Sequence, residues 1–144
     1  MDQLLEFAGN HLLLAIIWLV LVMLIIGSWL KSKLSPIKAI SPTELTLKVN
    51  RENAVVLDIR GEEDYRKGHI TDARNVKQDQ IDKQPLTGLE KQKDTPIIVV
   101  CQVGVTAQKA AAALAKQGYS QVSILQGGMN AWTGASLPVV KAKR

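Results

Sequence analysis

The chain is 144 residues long, with 18 lysines and arginines against 13 aspartates and glutamates and a formal net charge of +5. This length suits one domain of ordinary size and argues against a two-domain enzyme. Cys101 is the single cysteine, so an internal disulfide is impossible and the fold does not depend on an oxidising compartment. All the basic residues lie from Lys31 onward and are scattered rather than interleaved with aromatic side chains, so we expect no nucleic-acid partner.

The first predicted element is an uncharged apolar segment of 19 residues, Leu12 to Leu30. At about 1.5 Å per residue a helix of this length spans roughly 28 Å, close to the ~30 Å hydrocarbon core of a bilayer. We therefore predict a transmembrane helix over residues 12–30, with lipid as its partner. A cleaved signal peptide is the alternative, but it normally starts with basic residues, whereas this chain starts with Asp2 and Glu6.

The charges around this segment predict its orientation. Lys31, Lys33 and Lys38 follow it, and positively charged flanks of a transmembrane helix stay in the cytoplasm. We expect a single-pass protein of the bacterial inner (cytoplasmic) membrane, with a short outer tail at residues 1–11, a linker at 31–39 and the C-terminal domain in the cytoplasm. The anchor also makes a membrane protein a candidate partner.

The part after the linker begins with a helix start signal. In "SPTE", Ser41 is placed to cap a helix, Pro42 suits the first helical position and Glu44 can reach back to the capping residue. The composition predicts further helices over Glu62–Lys67, Lys77–Glu90 and Ala107–Gln117, the last one closed by Gly118.

Short apolar runs rich in β-branched residues lie between these helices and predict buried strands over Ala54–Ile59, Pro96–Val100 and Gln121–Leu125. Alternation of strand and helix predicts an α/β fold, with a parallel sheet covered by helices on both faces. In such sheets, ligands bind beyond the carboxyl ends of the strands.

Cys101 stands at one of these strand ends, directly after Val100. The loop that follows it consists of Gln102, Val103, Gly104, Val105 and Thr106. Gly104 allows a tight turn whose amides face inward, and Thr106 is a candidate N-cap for the next helix. Amides and a helix N-terminus stabilise an anionic sulfur, so Cys101 is a candidate nucleophile; a small apolar filler is the alternative.

Spacing excludes several other kinds of cysteine chemistry. A phosphatase of the C-x5-R type needs an arginine where this chain has Ala107. Cys101 has no second thiol for a redox pair, and His11 and His69 are the only histidines, too few for a zinc site of the usual Cys/His kind. A Cys-His hydrolase would have to use His69, which we expect to be a hydrogen-bonded structural residue.

The sequence resembles the rhodanese-like sulfurtransferases between Ile40 and Pro138, so we place this domain at residues 40–138 and a basic tail at 139–144. Four stretches carry the resemblance, in the order of the family: "VVLDIR", "YRKGHITDARNV", "VVCQVGVTA" and "LQGGMNAW". It implies a parallel sheet flanked by helices and transfer of a sulfane sulfur through a Cys101 persulfide. A sulfane-sulfur donor and a thiol acceptor are then the partners, with no metal and no separate cofactor.

Other positions are interpreted within this resemblance. Asp58 and Arg60 match family positions near the active loop, where we expect a supporting pair that orients loops. Trp132 is expected to pack on the core. Asp72 stands where the family has glycine, and aspartate tolerates the left-handed conformation.

The loop departs from the family at Gln102 and Val103, where thiosulfate-using members often carry basic residues. We therefore expect weaker attraction for a dianionic donor such as thiosulfate. A rhodanese-like module that no longer turns over and acts as a membrane-tethered interaction domain is the alternative function.

Overall fold

The fold is taken from a computed structural model, which describes residues 3, 6, 9–34 and 37–142. Most of the predicted tail 1–11 and the last two residues of the predicted tail 139–144 lie outside the described residues. The chain divides at Ser35 into two compact units, one N-terminal and one C-terminal.

The N-terminal unit contains one long helix, α1, at Leu12–Leu34. Its most apolar part, Leu12–Leu30, has a mean hydropathy of 2.8, and none of its residues is buried. The core helix of a soluble protein would be mostly buried, so α1 does not fit the description of such a helix. The helix is long and apolar enough to cross a membrane. The segment predicted as a linker, 31–39, contains the end of this helix, because nothing in the sequence up to Leu34 breaks it.

The C-terminal unit is built on a sheet of five strands: β1 (Lys38–Ile40), β2 (Val55–Asp58), β3 (Arg74–Asn75), β4 (Ile97–Val100) and β5 (Val122–Leu125). The strands are parallel, and their order in the sheet is β1-β5-β4-β2-β3. The predicted strands are confirmed as β2, β4 and β5. Two short edge strands, β1 and β3, were not predicted, and β1 takes up the end of the predicted linker.

Four helices connect these strands, and a fifth follows β5. They are α2 (Pro42–Glu52), α3 (Glu62–Lys67), α4 (Gln78–Lys83), α5 (Val105–Lys116) and α6 (Gly128–Gly134). The predicted start of α2 is confirmed: Ser41 Oγ accepts a hydrogen bond from the Glu44 amide, and the Ser41 amide donates to the Glu44 carboxylate. The helix predicted over Lys77–Glu90 is wrong after Lys83, because Pro85 disfavours a helical residue before it.

Helices cover both faces of the sheet, as predicted. Successive side chains of β4 point to opposite faces, which separates two buried clusters. Ile97 and Val99 pack with residues of α4 and α5, whereas Ile98 and Val100 pack with residues of α2 and α6. The sheet therefore has a separate core on each side. Trp132 belongs to the second one, which confirms that it packs on the core.

Candidate active site

Cys101 lies where β4 ends and continues the alternation of that strand. It belongs to the cluster that Val99 forms with α5, and 4% of its surface is exposed. Small side chains of α5, those of Ala107, Ala110 and Ala111, share this cluster and allow the helix to approach the sheet closely. The thiol thus lies at the carboxyl edge of the sheet and is almost completely buried.

The loop after Cys101 directs an amide at the sulfur. Gly104 takes the left-handed conformation, with φ 97°, and its N–H donates to Cys101 Sγ at 2.9 Å. A residue with a side chain is strained in this conformation, so glycine suits the turn. Within residues 37–142, this is the one hydrogen bond to the sulfur.

The helix starts earlier than predicted. Gly104 is the N-cap of α5 and Val105 its first residue, so Thr106 lies within the first turn and the prediction that it caps the helix is wrong. The left-handed turn at Gly104 already directs the chain into the helix, which moves the start by two residues. The positive end of α5, a helix of 12 residues, therefore lies immediately after the amide that contacts the sulfur.

The loop surface is uncharged and partly apolar. Gln102 and Thr106 are exposed, and the side chains of Val103 and Val105 are 57% and 76% exposed. The Gly104 amide and the start of α5 direct positive partial charge at the Cys101 sulfur. The loop adds no cationic side chain to these groups.

The predicted supporting pair is present at the end of the neighbouring strand. Arg60 Nη2 lies 2.8 Å from Asp58 Oδ2, and Arg60 Nε donates to both carboxylate oxygens. The side chains are 9% and 1% exposed, and Arg60 also donates to the Gly68 carbonyl at 2.7 Å. The pair ties the end of β2 to the segment after α3.

This pair lies at the end of the strand next to Cys101, and within residues 37–142 it makes no hydrogen bond to the sulfur. Asp58 is paired in register with Val100, the residue before Cys101, and the Ile59 amide donates to the Val100 carbonyl. Asn75 also fixes this corner, because its side-chain amide donates to the carbonyls of Asp58 and Arg60. Asn75 was not among the predicted site residues, although it lies in the "YRKGHITDARNV" stretch.

His69 and Tyr65 form a second polar corner of the domain. His69 Nδ1 lies 2.8 Å from the Tyr65 carbonyl oxygen, and the two rings stack with centroids 3.8 Å apart. This confirms His69 as a hydrogen-bonded residue. The Tyr65 hydroxyl donates to the Ala73 carbonyl at 2.6 Å, and burial, with a smaller effect of the Asp58 charge, raises the pKa of Tyr65. Asp72 is left-handed with φ 62°, as expected for the residue that replaces glycine.

The turn that begins α6 contacts the cysteine loop, which the sequence did not reveal. The Met129 amide donates to the Cys101 carbonyl at 2.8 Å, and the Asn130 amide donates to the Gln102 carbonyl at 3.1 Å. The signal available was the "GG" of "LQGGMNAW", since paired glycines often mark a close approach of two backbone segments.

Comparison with known proteins identifies the class to which this fold and loop belong. The rhodanese-like domain family matches residues 41–135, so the chain is a member of that family. A rhodanese-related protein of Thermoplasma volcanium has the same fold, with a TM-score of 0.62 and 22% identity over 73% of this chain and 99% of its own.

The matching relatives include an uncharacterized protein and thiosulfate sulfurtransferases. An uncharacterized Escherichia coli K12 protein, YibN, is 39% identical over 99% of this chain and 100% of its own length. The thiosulfate sulfurtransferase GlpE of Pseudomonas entomophila is 39% identical over 69% of this chain and 87% of its own. A solved thiosulfate sulfurtransferase of Pseudomonas aeruginosa has a TM-score of 0.63 and 27% identity, covering 73% of this chain and 19% of its own.

Proposed function

We propose that this protein is a sulfurtransferase that carries sulfur as a persulfide on Cys101. The observation that carries the proposal is the hydrogen bond from the Gly104 amide to Cys101 Sγ at the start of α5. An amide in this position stabilises negative charge on the sulfur, both before and after it accepts a second sulfur atom. Membership of the rhodanese-like family and the GlpE relatives support the same chemistry.

The reaction consists of two displacements at sulfur. The Cys101 thiolate attacks the outer sulfur of a donor such as thiosulfate, the sulfur–sulfur bond of the donor breaks, and sulfite leaves with the electron pair. Cys101 then carries a persulfide. An acceptor thiolate attacks the outer sulfur of that persulfide and becomes a persulfide itself, while the Cys101 thiolate leaves. Cyanide as acceptor gives thiocyanate instead.

The lack of charged side chains in the loop should affect which sulfur donor reacts fastest. Thiosulfate carries two negative charges, and the loop offers it backbone amides but no lysine or arginine between Cys101 and Thr106. Exposed Val103 and Val105 cannot replace its hydration. We therefore infer that thiosulfate is a poor donor and that donors with less charge react faster.

We further propose that α1 holds this domain at the cytoplasmic face of a membrane. Its exposed apolar length and the lysines that follow it support this arrangement. The acceptor would then be a thiol close to that membrane surface, and a membrane protein is a candidate.

The experiment is intact mass measurement of the full chain in detergent after incubation with sulfane-sulfur donors. We expect the wild type to gain the mass of one sulfur atom, to lose it on addition of cyanide, and to show neither change as Cys101→Ser. Because the chain has a single cysteine, the assignment is unambiguous. An unchanged wild-type mass with every donor, together with no cyanolysis, contradicts the proposal.

The burial of Cys101 favours a second candidate, a membrane-tethered interaction module that does not turn over. Cells that carry Cys101→Ser distinguish the two candidates. A deletion phenotype that Cys101→Ser restores as fully as the wild type supports the interaction module, and one that it fails to restore supports the sulfurtransferase.

A further inference from the structure

We propose that Gly128 is a positioning residue for Cys101: the first turn of α6 holds the outer side of the cysteine loop and thereby sets the direction of the loop amides. This proposal rests on the proposed function only for what the loop arrangement is used for. The arrangement itself can be measured without sulfur transfer.

Two hydrogen bonds connect α6 to the loop. The carbonyl of Cys101 accepts from the Met129 amide at 2.8 Å, and the carbonyl of Gln102 accepts from the Asn130 amide at 3.1 Å. Both bonds join main-chain atoms of residues far apart in sequence. They fix the orientation of two successive peptide planes directly after the thiol.

The orientation of a carbonyl determines that of the amide in the same peptide unit. In a trans peptide the C=O and the N–H point in opposite directions across the plane. Because the carbonyls of Cys101 and Gln102 point to α6, the N–H groups of Gln102 and Val103 point away from it. We infer that they join the Gly104 amide, which already donates to Cys101 Sγ at 2.9 Å, in holding an anionic sulfur.

Gly128 is required for this close approach. It is buried, with φ 56°, and a Cβ atom built on it would lie 2.2 Å from the Cys101 carbonyl oxygen and 2.7 Å from the Gln102 carbonyl carbon. Non-bonded heavy atoms cannot approach so closely, so any side chain here must push the loop and α6 apart. The two peptide planes then lose the partners that orient them.

The neighbouring glycine provides a matched control. Gly127, the residue before α6, is also left-handed, with φ 74°, but a Cβ atom on it would meet the Ala131 side chain of α6, at 2.7 Å. Gly127→Ala therefore strains the same turn without entering the cysteine loop. A comparison of the two alanine variants separates the position of the loop from general destabilisation.

The test is alkylation of Cys101 by iodoacetamide in the full chain in detergent, followed by intact mass at a series of pH values. We expect Gly128→Ala to react about tenfold more slowly than wild type near neutral pH, because the anionic sulfur loses charge-assisted hydrogen bonds. At high pH, where every variant carries a thiolate, the rates should converge. Gly127→Ala should keep the wild-type pH profile.

Two outcomes overturn the proposal: a folded Gly128→Ala that keeps the wild-type profile, and an equal change in Gly127→Ala. Absence of sulfur transfer in the wild type, with the predicted alkylation profiles, refutes the proposed function but supports the positioning role.

If Gly128→Ala does not fold, the hydrogen bond between the Gln102 and Asn130 side chains provides a milder test, because both residues are exposed. We expect Gln102→Ala and Asn130→Ala each to slow alkylation near neutral pH by about twofold, and the double variant to be no slower than either. Additive effects mean that the two segments act independently, and they overturn the proposal.

Discussion

Two ion pairs of the C-terminal unit lie in different environments. Asp58 and Arg60 form a nearly buried ion pair with three hydrogen bonds between the side chains, so removal of either partner leaves a charge without compensation. By contrast, Arg66 and Glu62 pair across an exposed helix face, where an ion pair contributes little. Loss of one partner of the buried pair should therefore destabilise the domain more than loss of one partner of the exposed pair.

Tyr65 should make the stability of the domain depend on pH in the alkaline range. Burial raises its pKa in the folded chain, so the folded state keeps the phenolic proton to higher pH than the unfolded state, whose pKa is about 10. The contribution to stability is fully present below about pH 10 and is lost as the pH rises through the folded-state pKa, because the unfolded state then binds fewer protons.

We expect Tyr65→Phe to be less stable than wild type by about 1 kcal/mol near neutral pH, because the Ala73 carbonyl loses its hydrogen bond. Between about pH 9 and about pH 11 the stability of the variant should fall less than that of wild type. Urea unfolding of the full chain in detergent, followed by circular dichroism, measures both. Parallel curves for the two proteins across this range contradict the assignment.

The helices and strands that were predicted correctly are those whose own residues carry a local signal. The β-branched runs of β2, β4 and β5 and the capping box of α2 carry their own signals. The edge strands β1 and β3 do not, because strands of three and two residues are set by pairing with a neighbour. The start of α5 was misplaced because a backbone turn at Gly104, and no side-chain cap, begins that helix.

Some residues of the candidate site were likewise predicted from the sequence, and others were not. Cys101 and its loop were predicted from their place at a strand end, and the Asp58–Arg60 pair from the family pattern. Asn75 and Gly128 were missed because both act on backbone atoms of segments distant in the chain. Sequence patterns report which residues a helix or strand needs, whereas such contacts depend on how the elements pack.

The charge of the cysteine loop should control its reaction with thiosulfate. Two unit charges about 4 Å apart in water attract each other by about 1 kcal/mol, so we expect Val103→Lys to raise the rate of persulfide formation from thiosulfate about fivefold. Intact mass at a series of times measures this rate. The gain should shrink as salt is added and should be absent with an uncharged donor.

The control for this variant is Leu47→Lys, which adds the same charge at an exposed position of α2. We expect it to leave the rate with thiosulfate unchanged. Equal gains in the two variants indicate an effect of net charge alone, and no gain in either indicates that approach to the buried sulfur, rather than attraction, limits the reaction.

The protein either keeps α1 as a membrane anchor or loses it as a signal sequence, and we expect it to keep α1. We expect the full chain to stay in the membrane fraction after alkaline extraction and to keep the mass of the complete sequence. Leu21→Arg places a charge at the middle of the span, at a cost of about 3 kcal/mol, and should release part of the protein. Leu47→Arg, outside the span, should release none. A processed chain that lacks α1 indicates a signal sequence instead.

The orientation is tested with protease added to either side of the membrane. We expect cleavage of the C-terminal domain in inverted vesicles and protection in intact spheroplasts, because the lysines after the span favour the cytoplasmic side. The reverse pattern contradicts the cytoplasmic placement but leaves the sulfur chemistry untouched.

The contact between α6 and the cysteine loop also has a consequence for biosynthesis. The ribosome adds Cys101 before Met129 and Asn130, so the carbonyls of Cys101 and Gln102 lack these hydrogen-bond partners until residue 130 has been added. A nascent or prematurely terminated copy thus contains the sulfur but not the turn that orients its surroundings. The proposed orientation of the loop amides therefore requires that translation has passed residue 130.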